Sequence, residues 1–310
     1  MKPQYDFVIV GGGPAGLSAS LIVGRALRSA LLVDGGTPRN SAAPAIHSFL
    51  SRDGTLPRDF RAICHEELAR YATIERRHGV VVDVRKSADS MEVAFETGEG
   101  VLAKKVILAV GMVDIFPEID GLREAWGRGA HACPFCDGYE HRGEHWGVLV
   151  DQVAMADHAR FLRRWAGQMT VFVSVELPAD RLEKLQAAGC RIVQGRIKQV
   201  VGGDAHRLEG VELADGTFHP LESLWLRPSQ RQTSLVSKLG LTLRDDGAIW
   251  RDEQGQTSIP GIHATGDCAS GPAQQAIFAA ADGARAVFPA LHELSMGVSA
   301  KATRTEAAVK

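Results

Sequence analysis

Phe7-Val8-Ile9-Val10-Gly11-Gly12-Gly13-Pro14-Ala15-Gly16 decides the fold of this chain. Four apolar, β-prone residues run straight into a glycine turn, and a helix-like stretch follows over 17–27. A second apolar run, Ala30-Leu31-Leu32-Val33, ends in Asp34. Strand, glycine turn, helix, strand and acid in this order are the parts of a dinucleotide-binding unit. Gly11 permits the tight turn. Gly13 lets backbone approach a pyrophosphate, and Gly16 lets helix and strand pack closely. Pro14 and Ala15 complete the turn, and the free N–H groups at the helix start bind the phosphates. Asp34, about 20 residues on, is placed for a ribose hydroxyl.

Further strands are expected over 80–84, 91–95 and 106–110, the last closed by Gly111. Pro117, Gly121 and Gly127 then mark a crossover into a second domain. There a strand over 146–150, a helix over 154–165, a strand over 169–175 and a helix over 181–188 repeat the βαβ pattern. The pattern breaks again near Pro228. Near the end, 259–267 reads as a strand ending in Gly266-Asp267, and Gln274 and Gln275 open an Ala-rich helix to about Leu291. The last stretch, 296–310, is small and polar and is expected to fray. The fold class is therefore α/β, with two dinucleotide-binding-type units; that they are nested is implied by the resemblance described below.

The 310 residues suffice for two cores of ordinary size. With 45% hydrophobic and 23% charged residues, the composition is that of a globular domain. A formal net charge of −2 gives no electrostatic reason for a nucleic-acid or membrane partner. No apolar run approaches the roughly 18–20 residues that span a bilayer. The N-terminal residues pass directly into a strand, so a cytoplasmic location is expected. Five cysteines, Cys64, Cys133, Cys136, Cys190 and Cys268, are too few and too scattered for a disulphide scaffold.

Two of them carry chemistry. In Cys133-Pro134-Phe135-Cys136-Asp137 the thiols are spaced to close into a tight disulphide and reopen. Asp137 directly follows the second thiol, where it can move a proton during thiol–disulphide exchange. A zinc reading of Cys133, Cys136, His141 and His145 is disfavoured, because the spacer between the Cys and His pairs is far too short; no metal is expected. Cys64, Cys190 and Cys268 are expected to be packing residues. Any of His47, His131, His141 and His145 could act as a base on a substrate thiol, and the sequence does not rank them.

Gly11-x-Gly13-x-x-Gly16, Ala109-Val110-Gly111, Cys133-x-x-Cys136-Asp137-Gly138 and Thr265-Gly266-Asp267 with Gln275-Ala276 resemble the low-molecular-weight thioredoxin reductase family. The resemblance runs over essentially the whole chain. It implies a discontinuous FAD domain at 1–116 and 245–310, enclosing a module at 117–244 that holds the dithiol. It further implies that Asp267 contacts the ribityl–phosphate region of FAD and that the helix opened by Gln275 and Ala276 aims its positive end at the flavin. A homodimer is also implied.

One part is missing. Where the family carries a second glycine fingerprint, this chain has Asp151-Gln152-Val153-Ala154-Met155-Ala156, in which only Ala156 fits. Asp151 repels a pyrophosphate, and Val153 blocks the approach of backbone. Basic residues for a 2′-phosphate are replaced by Val173-Ser174-Val175-Glu176. The inner module is therefore expected to lack a nicotinamide site. The sequence 132–140, with Pro38-Arg39-Asn40 and 47–50, resembles the FAD-dependent dithiol oxidases of gliotoxin, holomycin and romidepsin type. That resemblance implies antibiotic biosynthesis and a small-molecule dithiol substrate. Electrons would pass from substrate to Cys133/Cys136, to FAD and to molecular oxygen, with hydrogen peroxide as product. The alternatives are a reductase of thioredoxin or a small disulphide, fed by NAD(P)H or another donor, and a non-catalytic flavin-binding protein.

Overall fold

The computed structural model describes residues 2–203 and 207–296. The expected fraying of 296–310 therefore falls, from residue 297 on, outside the described residues. The chain divides into two compact units, Met1–Arg39 with Arg58–Val113 and Gln230–Lys310, and Asn40–Pro57 with Asp114–Ser229.

The first unit is built on a seven-stranded sheet in the order Ile74–His78, Ala30–Asp34, Gln4–Val10, Gly100–Leu108, Ser90–Phe95, Val81–Ser87, with Ile262–Ala264 also paired to Gly100–Leu108. The long strand Gly100–Leu108 serves two partners in turn. Its first half pairs antiparallel with Ser90–Phe95, and its second half pairs parallel with Ile262–Ala264. Strand Gln4–Val10 lies between two parallel neighbours and is covered on both faces. Val8 and Val10 face a core with Leu31, Val106 and Ile262, while Phe7 and Ile9 face one with Leu17, Leu32 and Val287. A strand buried on both sides reads as a continuous apolar run, which is how 7–10 appears in the sequence. Full burial of each such side chain contributes roughly 1.5–3 kcal/mol.

The fingerprint helix is Pro14–Arg25, and the long C-terminal helix is Ala276–Met296. Residues 230–244, expected with the inner module, pack in the first unit instead. Leu235 and Val236 of helix Ser234–Leu239, together with Leu241, join the core that holds Val8 and Val93. Gln232 fastens this segment by donating to the carbonyls of Gly247 and Cys268, at 2.8 and 3.0 Å. Conversely, 40–57, expected with the FAD domain, belongs to the second unit. Ser48 donates to the Phe135 carbonyl at 3.0 Å, and Gly127 lies so close to Ala42 that a Cβ there would meet its carbonyl oxygen at 2.6 Å.

The second unit holds a five-stranded parallel sheet in the order Arg191–Gln194, Gln168–Val173, His145–Val150, Ser223–Trp225, Ala130–His131. Helices Met155–Leu162 and Ala179–Ala187 connect its strands. Its core includes Trp146 and Trp225, stacked at 3.9 Å between ring centroids and both fully buried. A three-stranded antiparallel sheet, Ile197–Gly202, Leu208–Leu213 and Phe218–Pro220, completes the unit.

Candidate active site

The dinucleotide fingerprint forms a cradle within the first unit. Gly11 has φ +111°, and a Cβ there would sit 2.2 Å from the Ala109 carbonyl oxygen, so this turn admits only glycine. At Gly16 a Cβ would come within 1.8 Å of the Gly11 carbonyl oxygen. Gly13, by contrast, faces open space. It caps helix Pro14–Arg25 with no side-chain hydrogen bond, so the first-turn amides carry no internal capping partner. A helix start of this kind accepts phosphate.

Of the other expected cofactor residues, Asp34 and Gly266 lie against this turn. Gly266 packs on Ala15, where a Cβ would lie 2.9 Å from the alanine's own. Gly111 follows the strand whose exit meets Gly11, with φ +63°. Gln275 accepts from Ala279 N–H at 2.9 Å as the helix beginning at Ala276 forms. Asp34 stands against Gly12, with one carboxylate oxygen accepting from Gly36 N–H at 2.9 Å and the other paired to Arg61. Asp267 opens a short helix and lies 3.5 Å from Arg39, which also donates to Gln274 at 2.6 Å.

The sequence reading missed what holds Gly266. Asp282, buried on the C-terminal helix, accepts from Gly266 N–H and Thr265 Oγ1, each at 2.8 Å. Arg251 grips the same carboxylate with both ends of its guanidinium, at 2.8 and 3.0 Å, and the exposed Arg285 adds a contact at 3.0 Å. Burial works to raise the Asp282 carboxyl. The Arg251 hydrogen bonds, the Gly266 N–H, the Arg251 charge and the Thr265 hydroxyl overcome it and hold the group below the usual carboxylate range. An acid in the middle of an Ala-rich helix was the only signal of this clamp in the sequence.

The dithiol lies in the second unit. Cys133 caps the short helix Pro134–Asp137, whose first amides return to it: Cys136 N–H and Asp137 N–H donate to its carbonyl at 3.0 and 3.1 Å. Both thiols are half-buried and not joined in a disulphide. The Cys136 thiol hydrogen bond draws the Cys133 thiol below its usual range. Burial opposes the shift, the Phe135 and Cys136 N–H groups assist it, and the Asp137 charge resists it. A thiol held below its usual range ionises, and so attacks or exchanges, more readily. Cys268 is the opposite case: fully buried, it is pushed up to about 12 and is inert. Cys190 is buried too, and Cys64 packs against the core beside Leu68.

Phe135, between the two cysteines, is exposed and packs with Phe161 and Trp165 at 5.9 and 5.8 Å between ring centroids. The four candidate histidines now separate. His131 is buried with its Nδ1 3.6 Å from the Asp137 carboxylate. His141 Nδ1 meets Glu144 at 2.8 Å. Burial and then His131 push its imidazole below the usual value, against Glu144. His145 Nε2 meets Thr170 at 2.9 Å, and His47 lies between Asp53 and Glu140, 3.5 Å from each.

In the same unit, the turn after His145–Val150 runs through Asp151-Gln152-Val153-Ala154 and starts its helix only at Met155. No glycine and no left-handed residue occurs in it. Burial raises the Asp151 carboxyl, and Asp157, in the helix's first turn, is paired with Arg181.

The pyridine nucleotide-disulphide oxidoreductase family model matches residues 5–150 and 181–283. Thioredoxin reductase sirT of Leptosphaeria maculans is 34% identical over 301 residues, covering 91% of this chain and 92% of the relative. The crystal structure of HlmI superposes with a TM-score of 0.89 at 33% identity, over 94% of this chain and 93% of its own. An oxidoreductase from Agrobacterium tumefaciens gives a TM-score of 0.88 at 37% identity, over 95% of this chain and all of its own. Among the described residues, no helix is long and apolar enough to cross a membrane.

Proposed function

This chain belongs to the pyridine nucleotide-disulphide oxidoreductase family, and from that premise we propose that it is a dithiol oxidase that closes a disulphide in a small natural-product dithiol. It is an FAD flavoprotein and an oxidoreductase acting on thiol and disulphide groups. The observation that carries the finer reading is the turn Asp151–Ala154. A nicotinamide dinucleotide needs a glycine turn there, and the turn offers a half-buried carboxylate, a branched side chain and an acid in the first helical turn. With no nicotinamide to supply electrons, the dithiol takes them from its substrate.

The cycle begins with Cys133 and Cys136 joined. A substrate thiolate attacks Cys133, the Cys133–Cys136 bond breaks, and a mixed disulphide forms. The second substrate thiol displaces Cys133, so the substrate leaves with an S–S bond and both cysteines are reduced. Asp137 holds a proton as the substrate thiols ionise. Cys136 then hands the electron pair on. The cradle of Gly11, Gly13, Pro14, Ala15 and Gly16, with Asp34, Gly111, Gly266, Asp267, Gln275 and Ala276, would hold FAD, which would supply a two-electron acceptor reoxidised by molecular oxygen with hydrogen peroxide as product. The enzyme works as a homodimer, with the FAD-binding role in the first unit and the dithiol in the second.

The relatives named thioredoxin reductase favour a second reading, in which electrons run toward a disulphide. Two measurements separate them. A small dithiol should drive oxygen uptake with peroxide formation, and NADPH or NADH should fail to bleach the flavin without oxygen. Bleaching by either nucleotide at tens per second would restore the reductase.

A further inference from the structure

Oxidising one dithiol breaks two S–H bonds, and each proton must leave a substrate sulphur before a cysteine thiolate can take it up; one carboxylate carries one proton at a time. The site contains a second base in the right place. His131 is 2% exposed, and neither ring nitrogen has a hydrogen-bond partner among the described residues. A buried imidazole with both nitrogens unpaired is costly, and such a group calls for an explanation. Its Nδ1 faces the Asp137 carboxylate at 3.6 Å, and Asp137 directly follows Cys136.

The surroundings of His131 lead away from the thiols. From the loop after Asp137, the His141 ring stands 4.4 Å away, centroid to centroid. From the strand Ser223–Trp225, Trp225 closes another side at 5.2 Å and offers no charge. Behind His141, Glu144 accepts from its ring at 2.8 Å and pairs at 3.0 Å with Arg207, whose side chain is half exposed. The titratable groups facing His131 are thus Asp137 on the dithiol side and His141 on the other, with Glu144 and Arg207 beyond. His158, from helix Met155–Leu162, is turned to the Ala132 backbone instead.

We propose that His131 is the second proton site of the dithiol centre, taking from Asp137 the proton that the carboxylate accepts as a substrate thiol ionises. Asp137 is then free to accept the second proton. No electrons move in this step: an S–H bond breaks, an O–H bond forms on Asp137, and that proton then passes to nitrogen. In this role His131 is a positioning and proton-holding residue that acts through Asp137. The inference rests on the dithiol chemistry proposed above.

The test uses the full-length holoenzyme with His131→Asn and, as a second variant, His131→Gln, each checked for bound FAD. Anaerobic bleaching of the flavin by dithiothreitol is followed from pH 6 to 9.5. At pH 7 the variants should be slower by roughly tenfold or more. The gap should close above about pH 9, where thiols of ordinary pKa near 8.5 ionise unaided. Unchanged rates, or a deficit equal at every pH, would overturn the proposal, the latter marking a merely structural role. Iodoacetamide labelling of Cys133 in the prereduced protein covers the remaining case. If dithiols do not bleach the wild type, the oxidase reading fails, and His131 is still decided by labelling: a pH profile altered in the variants supports it, and identical profiles refute it.

Discussion

Replacing Arg251 with Met should strand a buried charge at the flavin cradle. In the wild type the Asp282 and Arg251 side chains are 9% and 17% exposed. The guanidinium fork provides two of the bonds on the carboxylate, at 2.8 and 3.0 Å. Removing one member of a buried pair costs about 3–5 kcal/mol, because the other is left uncompensated. Arg285 remains within 3.0 Å, but its side chain is 77% exposed, and such a contact returns only about 0–1 kcal/mol. The net loss is then about 3 kcal/mol. At roughly 2–4 °C per kcal/mol for a domain of 150–250 residues, the first unit should melt about 6–12 °C lower. Because Asp282 also holds the amide of Gly266, flavin should leave in the same transition. The assay is thermal release of flavin fluorescence alongside circular dichroism. The sign with pH follows from the depressed Asp282 carboxyl. Its stabilisation is fully present above the unfolded value near 3.9 and is lost only as pH falls through the lower folded value, so wild type and variant should converge in acid. Adding Asp282→Asn to the variant removes the stranded charge and should restore part of the loss. A variant that melts within a degree or two of wild type, or a second change that lowers stability further, would refute the argument.

Cys133→Ser and Cys136→Ser should each abolish dithiol-dependent oxygen uptake while leaving the protein yellow, and the double variant should be no worse than either, because the pair acts as a unit. Mass spectrometry should find an added disulphide substrate trapped on Cys133 of the Cys136→Ser protein; oxidase turnover in either variant would mean that substrate bypasses the pair. Gly16→Ala places a Cβ 1.8 Å from the Gly11 carbonyl oxygen, so backbone must move. Overpacking of this kind costs about 1–3 kcal/mol, and the visible absorbance of purified protein should show FAD lost or much depleted.

The parts of the fold legible in the sequence were those fixed by local backbone chemistry. Strand, turn, helix and acid over 7–34 stand as read, because only glycine meets the geometry at Gly11 and Gly16. The strand Ile74–His78 was not read, since Glu75-Arg76-Arg77 at the sheet edge carries no apolar pattern. The division between units was misplaced at 230–244 because a six-residue helix has no strong periodicity. Leu235 and Val236 join their core through contacts with residues far away in sequence. Segment 40–57 fell within the bounds that the resemblance implied for the FAD domain, whereas Ser48 and Ala42 hold it in the second unit. In the site, the thiols and Asp137 were visible from spacing alone. The histidines were equivalent letters until distance separated His131 from His47 and His145. Arg251 and Arg61 left no mark, because a charge clamp links residues that no local pattern joins.

The first unit is assembled from three stretches of chain, and this sets an order of events during synthesis. Strand Ile262–Ala264, which completes the parallel half of its sheet, and helix Ala276–Met296, whose Gly283 lies against the Ala15 backbone, leave the ribosome after every strand of the second unit has been made. Domains generally fold as their residues emerge. The second unit can therefore close first, while Gln4–Val10 and Pro14–Arg25 wait with one side of their core uncovered. A stalled or shortened nascent chain would carry a formed Cys133–Cys136 turn in one unit and an unfinished glycine turn in the other, and the exposed apolar strands of the first unit are the segments a chaperone would have to shield.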